Sequence, residues 1–178
     1  MLKFLKSTTS DFYNDKKEIV FVGRSNAGKS SLINALYGKG IAFTGKTPGK
    51  TRMINYFDND DYYVVDVPGY GFANRNFDEQ IGFGNMMEAY FSRKKIALCI
   101  LIVDSRLGLT KDDIDMKEFL ENKHIKYIIV ANKIDKLSNN ELNNNKQKLF
   151  KEYKRVIYVS ALKKTNLDLI NSNILESI

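Results

Sequence analysis

The chain has no tryptophan, one cysteine, one histidine and two prolines among its 178 residues, and each scarcity removes a class of explanation. Cys99 stands inside the apolar run Ile96 to Val103, so no internal disulfide framework is available and the thiol reads as core packing in a reducing compartment. His124 is equally alone and reads as a surface or half-buried side chain before a strand, not as a ligand. No apolar stretch reaches the ~20 residues of a membrane span. Met1-Leu2-Lys3-Phe4-Leu5-Lys6 lacks the long apolar core of a signal peptide. Position 2 is not glycine and Leu175-Glu176-Ser177-Ile178 holds no cysteine, which weighs against a lipid anchor. A soluble, cytoplasmic protein with no membrane partner is the expectation.

Acid is missing locally as well. Between Glu18 and Asp58 there is no aspartate or glutamate, while Arg24, Lys29, Lys39, Lys46, Lys50 and Arg52 all fall in that span. A second block sets Lys146, Lys148, Lys151, Lys154, Arg155, Lys163 and Lys164 against Glu152 alone, and the formal net charge is +7. Such blocks suit either solvated lysines that aid solubility or a polyanionic partner such as RNA.

What the chain does contain is alternation. Strand-like runs at Glu18 to Val22, Met53 to Phe57, Tyr62 to Asp66, Ile96 to Asp104, Lys126 to Asn132 and Val156 to Ser160 are separated by helical patterns. This is the sequence form of an α/β fold, a mostly parallel sheet covered by helices. Only Asp58-Asn59-Asp60-Asp61 separates the second run from the third, which predicts an antiparallel hairpin and one edge strand running against the rest. Leu167 to Ile178 sets Leu167, Ile170, Ile174 and Ile178 on one helical face. Asn139 to Asn145 reads as a loosely held helix start. The length fits a single domain, 1–178, with residues 1–17 an extension that carries little motif.

Ile19 to Val22 leads straight into Gly23-Arg24-Ser25-Asn26-Ala27-Gly28-Lys29-Ser30, and Ser31 to Tyr37 continues as a helix. Glycines at the first and sixth positions let the backbone curl so that successive N–H groups point inward at phosphate, and the helix adds the positive end of its dipole. Lys29 can then reach the β- and γ-phosphates while the Ser30 hydroxyl ligates magnesium. Asp66-Val67-Pro68-Gly69 offers, at another strand tip, a carboxylate to hold that magnesium through a water and a Gly69 N–H for the γ-phosphate. Alone, the same tetrapeptide also suits an ordinary turn.

Asn132-Lys133-Ile134-Asp135 is more specific, because the Asp135 carboxylate can accept from both N1–H and the exocyclic amine of guanine, and adenine offers no such pair. Asn132 would contact N7 and tie neighbouring loops together, and the Lys133 stem would lie across the base. Ser160-Ala161-Leu162 ends the next strand, where the Ala161 N–H could donate to guanine O6.

These strings together resemble the EngB family, also called YihA or YsxC, of ribosome-assembly GTPases within the Era, TrmE and septin-like group. The likeness rests on Gly23-Arg24-Ser25-Asn26, on Pro48-Gly49-Lys50-Thr51 as a first switch, on Asp66-Val67-Pro68-Gly69-Tyr70-Gly71-Phe72 as a second, and on Asn132-Lys133-Ile134-Asp135. The resemblance covers nearly the whole chain. It implies a P-loop, small-GTPase-like three-layer sandwich: a six-stranded, mostly parallel sheet with one antiparallel edge strand and helices on both faces. It implies GTP/GDP and Mg2+ as cofactors, slow GTP hydrolysis stimulated by a partner, and a role in assembling the large ribosomal subunit from ribosomal RNA and proteins. It also implies a link to cell division and septation, with no DNA partner and a monomeric state. Thr51 is the implied first-switch magnesium ligand beside Ser30 and Asp66, with Thr47 the runner-up and Thr44 also in reach. Related GTPases with this phosphate loop use its asparagine to help bind K+, so Asn26 reads either as that ligand or as a cap on its own loop.

Tyr70 stands where many signalling GTPases carry a glutamine that orients the attacking water. Hydrolysis is therefore expected to depend on positioning and charge from Lys29, with Asn26 and Thr51 as the other candidate catalytic residues. The alternative is a metabolic enzyme of small-acceptor kinase type on the same P-loop. It would need an acceptor pocket and an arginine-bearing lid, whereas the long connection at 38–52 carries three lysines to one arginine.

Overall fold

The structure, a computed structural model, describes residues 2–41, 53–71 and 77–178. Its centre is β2 (Glu18–Gly23), every residue of which is buried; a strand covered on both faces reads as a continuous apolar run. Ile19 and Phe21 pack on one face with Leu32 and Ile33 of α1 (Lys29–Tyr37) and with Ile170 and Ile174 of α5 (Leu167–Leu175). Val20 and Val22 pack on the other with Met87 and Tyr90 of α2 (Phe77–Phe91) and Leu120 of α3 (Lys111–Asn122). Each such side chain contributes about 1.5–3 kcal/mol by leaving water.

β2 pairs in parallel with β4 (Tyr63–Asp66) on one side and β5 (Ile96–Asp104) on the other. Beyond β5 lie β6 (Tyr127–Asn132) and β7 (Val156–Tyr158), also parallel. β3 (Ile54–Asp58) runs antiparallel to β4 through a tight turn in which Asp60 adopts φ 59 and the Asn59 N–H donates to the Tyr62 carbonyl at 3.1 Å. β1 (Lys3–Thr8) adds antiparallel to β3 and completes the order β1-β3-β4-β2-β5-β6-β7.

Two expectations change here. The sheet has seven strands, not six, because the segment read as an extension forms β1. The strand that runs against the others, β3, is for that reason not an edge. In β1 only Thr8 is buried; the ladder to β3 holds the strand, helped by half-buried Leu5 against the core and Phe4 edge-on to Phe57. No hydrophobic alternation marks it in the sequence.

α4 (Asn139–Lys148) begins at the asparagine-rich stretch and is firmly started: the Ser138 side chain accepts from the Glu141 N–H at 3.3 Å, and Glu141 accepts from the Ser138 N–H at 2.8 Å. α5 ends at Leu175, so Ile178, expected on its buried stripe, lies past the helix and is 37% exposed. Cys99 is a buried free thiol whose pKa burial pushes up. Among the described residues no helix is long and apolar enough to cross a membrane.

Candidate functional site

The phosphate loop joins β2 to α1. A Cβ at Gly23 would stand 2.6 Å from the Ile102 carbonyl oxygen, so the first glycine serves close packing of β2 on β5 and not the curl. The curl is made further along, where Asn26 adopts φ 68 and Gly28 φ 98, a conformation that only glycine takes without strain. A side chain at Gly28 would also collide with Asn132 Nδ2. α1 starts at Lys29 with no acidic residue in its first turn, so its positive end is not offset by the chain itself. Ser30 is half-buried there and Ser31 exposed, with Ala27 buried behind the loop.

At the centre of the site the Lys29 ammonium is paired with Asp66 Oδ1, and both residues are buried. Asp66 is brought there as the last residue of β4, opposite Phe21 in the register with β2. The chain then runs along the phosphate loop through buried Val67 and Pro68: the Val67 N–H donates to the Phe21 carbonyl at 3.3 Å and the Ser25 N–H to the Tyr70 carbonyl at 3.1 Å. Gly69 passes so close that a Cβ there would lie 2.9 Å from Ser25 Oγ. Arg24, on the same ladder, places Nε 3.8 Å from Asp112 Oδ2.

Tyr70 turns away from the loop. Its ring is buried and its hydroxyl donates to Asp113 Oδ1 at 2.7 Å, while Asp113 Oδ2 accepts from the Thr110 N–H and hydroxyl at 2.9 and 2.7 Å. Burial, reinforced by the Asp113 carboxylate, pushes the Tyr70 phenol pKa up. The side chain at the glutamine position is thus fixed in the start of α3, consistent with hydrolysis that draws no water-orienting group from residue 70.

A second set of residues sits at the ends of β6 and β7. Buried Asn132 donates from Nδ2 to the Ala27 carbonyl at 3.2 Å and accepts at Oδ1 from the Ala161 N–H at 3.0 Å, so it ties the phosphate loop to the loop after β7. That N–H, expected to face guanine O6, here serves Asn132. Lys133 adopts φ 71 and its ammonium donates to the Asn26 carbonyl and, at 2.9 Å, to Asp104 Oδ2. Asp135 Oδ1 accepts from Ser160 Oγ at 2.6 Å, and Ser160 Oγ in turn accepts from the Lys163 N–H at 2.9 Å. Leu162, at the loop tip, is 71% exposed.

Asp104 has no role in the motifs and organises this corner. Burial raises its pKa, but hydrogen bonds from Arg106 and Lys133 outweigh that and hold the carboxyl at about 2. Its position at the end of the long apolar run of β5 was the available signal, since a lone carboxylate there needs a partner. Gly49, Lys50 and Thr51, with the alternatives Thr44 and Thr47, lie outside the described residues.

The phosphate loop, Asp66 and the Asn132–Asp135 segment therefore meet at the ends of β2, β4, β6 and β7, the arrangement of a P-loop nucleotide-binding protein. Residues 18–133 match the sequence profile of the family described as 50S ribosome-binding GTPase, which places the chain among the GTPases. The probable GTP-binding protein EngB of Mycoplasmopsis synoviae (strain 53) is 42% identical over 183 residues, an alignment covering 98% of each chain. The chain belongs to the EngB family of GTP-binding proteins. A crystal structure of a probable GTP-binding protein EngB superposes with a TM-score of 0.69 at 29% identity, covering 90% of this chain and 97% of that one. The fold is shared more widely: Era, crystallised with MgGDPNP and nucleotides 1506–1542 of 16S ribosomal RNA, gives a TM-score of 0.70 at 22% identity over 93% of this chain and 57% of that one.

Proposed function

We propose that this GTPase is a switch in assembly of the large ribosomal subunit, linked to cell division and septation, and that residues 1–178 work as one GTP-binding domain, monomeric and cytoplasmic. The observation that supports the guanine-nucleotide part of the reading is the double hydrogen bonding of Asn132, which joins the phosphate loop to the loop after β7, where Ser160 holds the Asp135 carboxylate. On that surface Asp135 accepts from N1–H and the exocyclic amine of guanine, Asn132 faces N7, and the Lys133 stem lies along the base. Ala161 and Leu162 border it.

Lys29 exchanges Asp66 for the β- and γ-phosphates, and the backbone from Gly23 to Ser31 encloses them. The donor set fits magnesium: Ser30 and Asp66, with Thr51 from the first switch, supply hard oxygens, and Mg2+ takes few protein ligands beside substrate phosphates. The buried Lys29 and Asp66 pair supports this, since it sets a cation suited to phosphate against an anion suited to a metal. Bound magnesium would neutralise charge developing on the transferred phosphoryl group. Asn26 is exposed and makes no side-chain hydrogen bond among the described residues, which favours the K+ role over loop capping. In the GTP state Thr51 and Gly69 hold the two switches together, and Lys46, Lys50 and Arg52 face the ribosomal RNA and proteins of the precursor.

Era's crystallisation with a ribosomal RNA segment supports an RNA-rich partner by analogy of fold. Co-sedimentation with ribosomal particles tests the reading. Several-fold more protein should pellet with a non-hydrolysable GTP analogue than with GDP or without nucleotide, and hydrolysis should run faster in potassium than in sodium. Equal pelleting in all three states would contradict the switch.

A further inference from the structure

We infer that the β7 edge of the sheet, with the exposed face of α4, is an RNA-phosphate docking surface whose affinity does not depend on whether GTP or GDP is bound. This deepens the ribosomal reading of the preceding section and rests on it for the class of partner. From Leu142 to Leu167 the chain carries seven cations and one acid, Glu152. Elsewhere ten of the seventeen described cations pair with a carboxylate, among them Lys6, Lys16, Lys29, Arg93, Arg106 and Lys133, and the unpaired ones are spread over the chain. Lys148, Lys151, Lys154, Arg155, Lys163 and Lys164 are exposed and, among the described residues, form no ion pair.

The fold gathers these charges along one edge. β7 is the last strand of the sheet and spans roughly 10 Å. Lys154 and Arg155 lead into its lower end, while Lys163 and Lys164 occupy the loop at its upper end, held where the Ser160 and Thr165 bridge closes it. α4 flanks the strand: Lys146 stands 4.8 Å from the centre of the Tyr158 ring, and Phe150 packs on that ring at 5.5 Å. Asn140, Asn144, Gln147 and Lys148 follow one another on α4, all exposed, with exposed Lys151 in the turn beyond it; the one acid of α4, Glu141, is engaged in the Ser138 cap.

The chemistry selects RNA. Flexible lysines contact phosphates without reading sequence, and amides suit the 2′-hydroxyls of a shallow A-form minor groove. A lipid surface would call for several apolar side chains to insert; α4 presents none among the large exposed hydrophobics, and the loop beside Lys163 offers Leu162 alone. Protein interfaces are depleted in lysine. The edge is also remote from β4, the strand that leads into Asp66 and Gly69: β2, β5 and β6 separate β7 from it, an offset of roughly 19 Å across the sheet. The nearby loop after Ser160 borders the base site, and GDP and GTP carry the same base there.

The test measures binding of a fluorescent ribosomal-sequence RNA hairpin by anisotropy, against salt, with GDP and with a non-hydrolysable GTP analogue. Lys148→Glu/Lys151→Glu should weaken binding about tenfold or more and flatten the salt dependence by nearly one log unit for each phosphate no longer neutralised. The fold-loss in affinity that this edge variant suffers should be the same with both nucleotides, within about twofold, whatever the first switch adds in the GTP state. The charge-matched Lys3→Glu/Lys94→Glu, placed away from this edge, should weaken it far less. Fluorescent-nucleotide titration and far-UV spectra confirm that each variant is folded and binds guanine nucleotide, so failure here is separable from failure of the GTPase reading. Equal losses in both variants, a loss in Lys148→Glu/Lys151→Glu that is tenfold larger with one nucleotide than with the other, or stronger variant-sensitive binding to phosphatidylglycerol vesicles than to RNA would overturn the inference.

Discussion

Glu18 opens β2 with no exposed surface, and one arginine makes that tolerable. Tyr90 and Tyr56 donate to its carboxylate at 2.5 and 3.3 Å, and the Arg93 guanidinium pairs with it. Burial raises the Glu18 pKa, and the hydrogen bonds from Tyr90 and Arg93 oppose that rise. The same guanidinium donates to Tyr56 Oη at 2.9 Å and to the Tyr13 carbonyl, and lies 5.3 and 5.2 Å from the Phe12 and Tyr90 ring centres. It therefore closes the lower end of the core and pins the segment that leads out of β1. Removing one partner of a buried pair leaves an unpaired buried charge, which costs about 3–5 kcal/mol. Arg93→Ala should lose that much in urea unfolding at neutral pH. With the Glu18 pKa raised in the folded state, stability linked to it is full below the unfolded value and falls as pH rises through the folded one. The Arg93→Ala deficit should accordingly shrink at acid pH, and Glu18→Gln should restore part of it. A deficit that is unchanged by pH and by Glu18→Gln would remove the ionic account.

At the scale of elements, the second switch is tied to α3 by one hydroxyl. Tyr70→Phe deletes the bond to Asp113 and leaves Asp113 capping α3 through Thr110 alone. The variant should lose about 1–2 kcal/mol in unfolding while single-turnover GTP hydrolysis stays within about threefold of wild type. A hundredfold slower chemical step would mean that the residue orients water after all. Much of this layer was legible in the sequence, because phosphate loop, hairpin and base-reading string each combine a strand pattern with residues that only one local geometry suits. β1 was not legible, since a strand held by its ladder carries no periodic burial. Nor was the role of Gly23, whose necessity comes from the backbone of β5, far away in sequence. Asp104 was missed for a similar reason: Arg106 is a local partner two residues on, but Lys133 is brought to it by the pairing of β5 with β6.

For the whole molecule, the parallel pairing of β4, β2, β5, β6 and β7 places every strand end that bears a motif on one side of the sheet. Loops far apart in sequence then share one surface, and Asn132 joins two of them. If that surface holds a nucleotide through its base, specificity resides in one carboxylate, Asp135, held by Ser160 at 2.6 Å. Titrating GTP and xanthosine triphosphate into wild type and Asp135→Asn tests this most directly, because an amide cannot accept both guanine donors but can donate to the xanthine C2 carbonyl. The wild type should prefer GTP, and the variant should lose at least about a hundredfold in GTP affinity, the scale of two charge-assisted hydrogen bonds, while gaining affinity for xanthosine triphosphate. GTP binding that survives intact in Asp135→Asn would contradict the site.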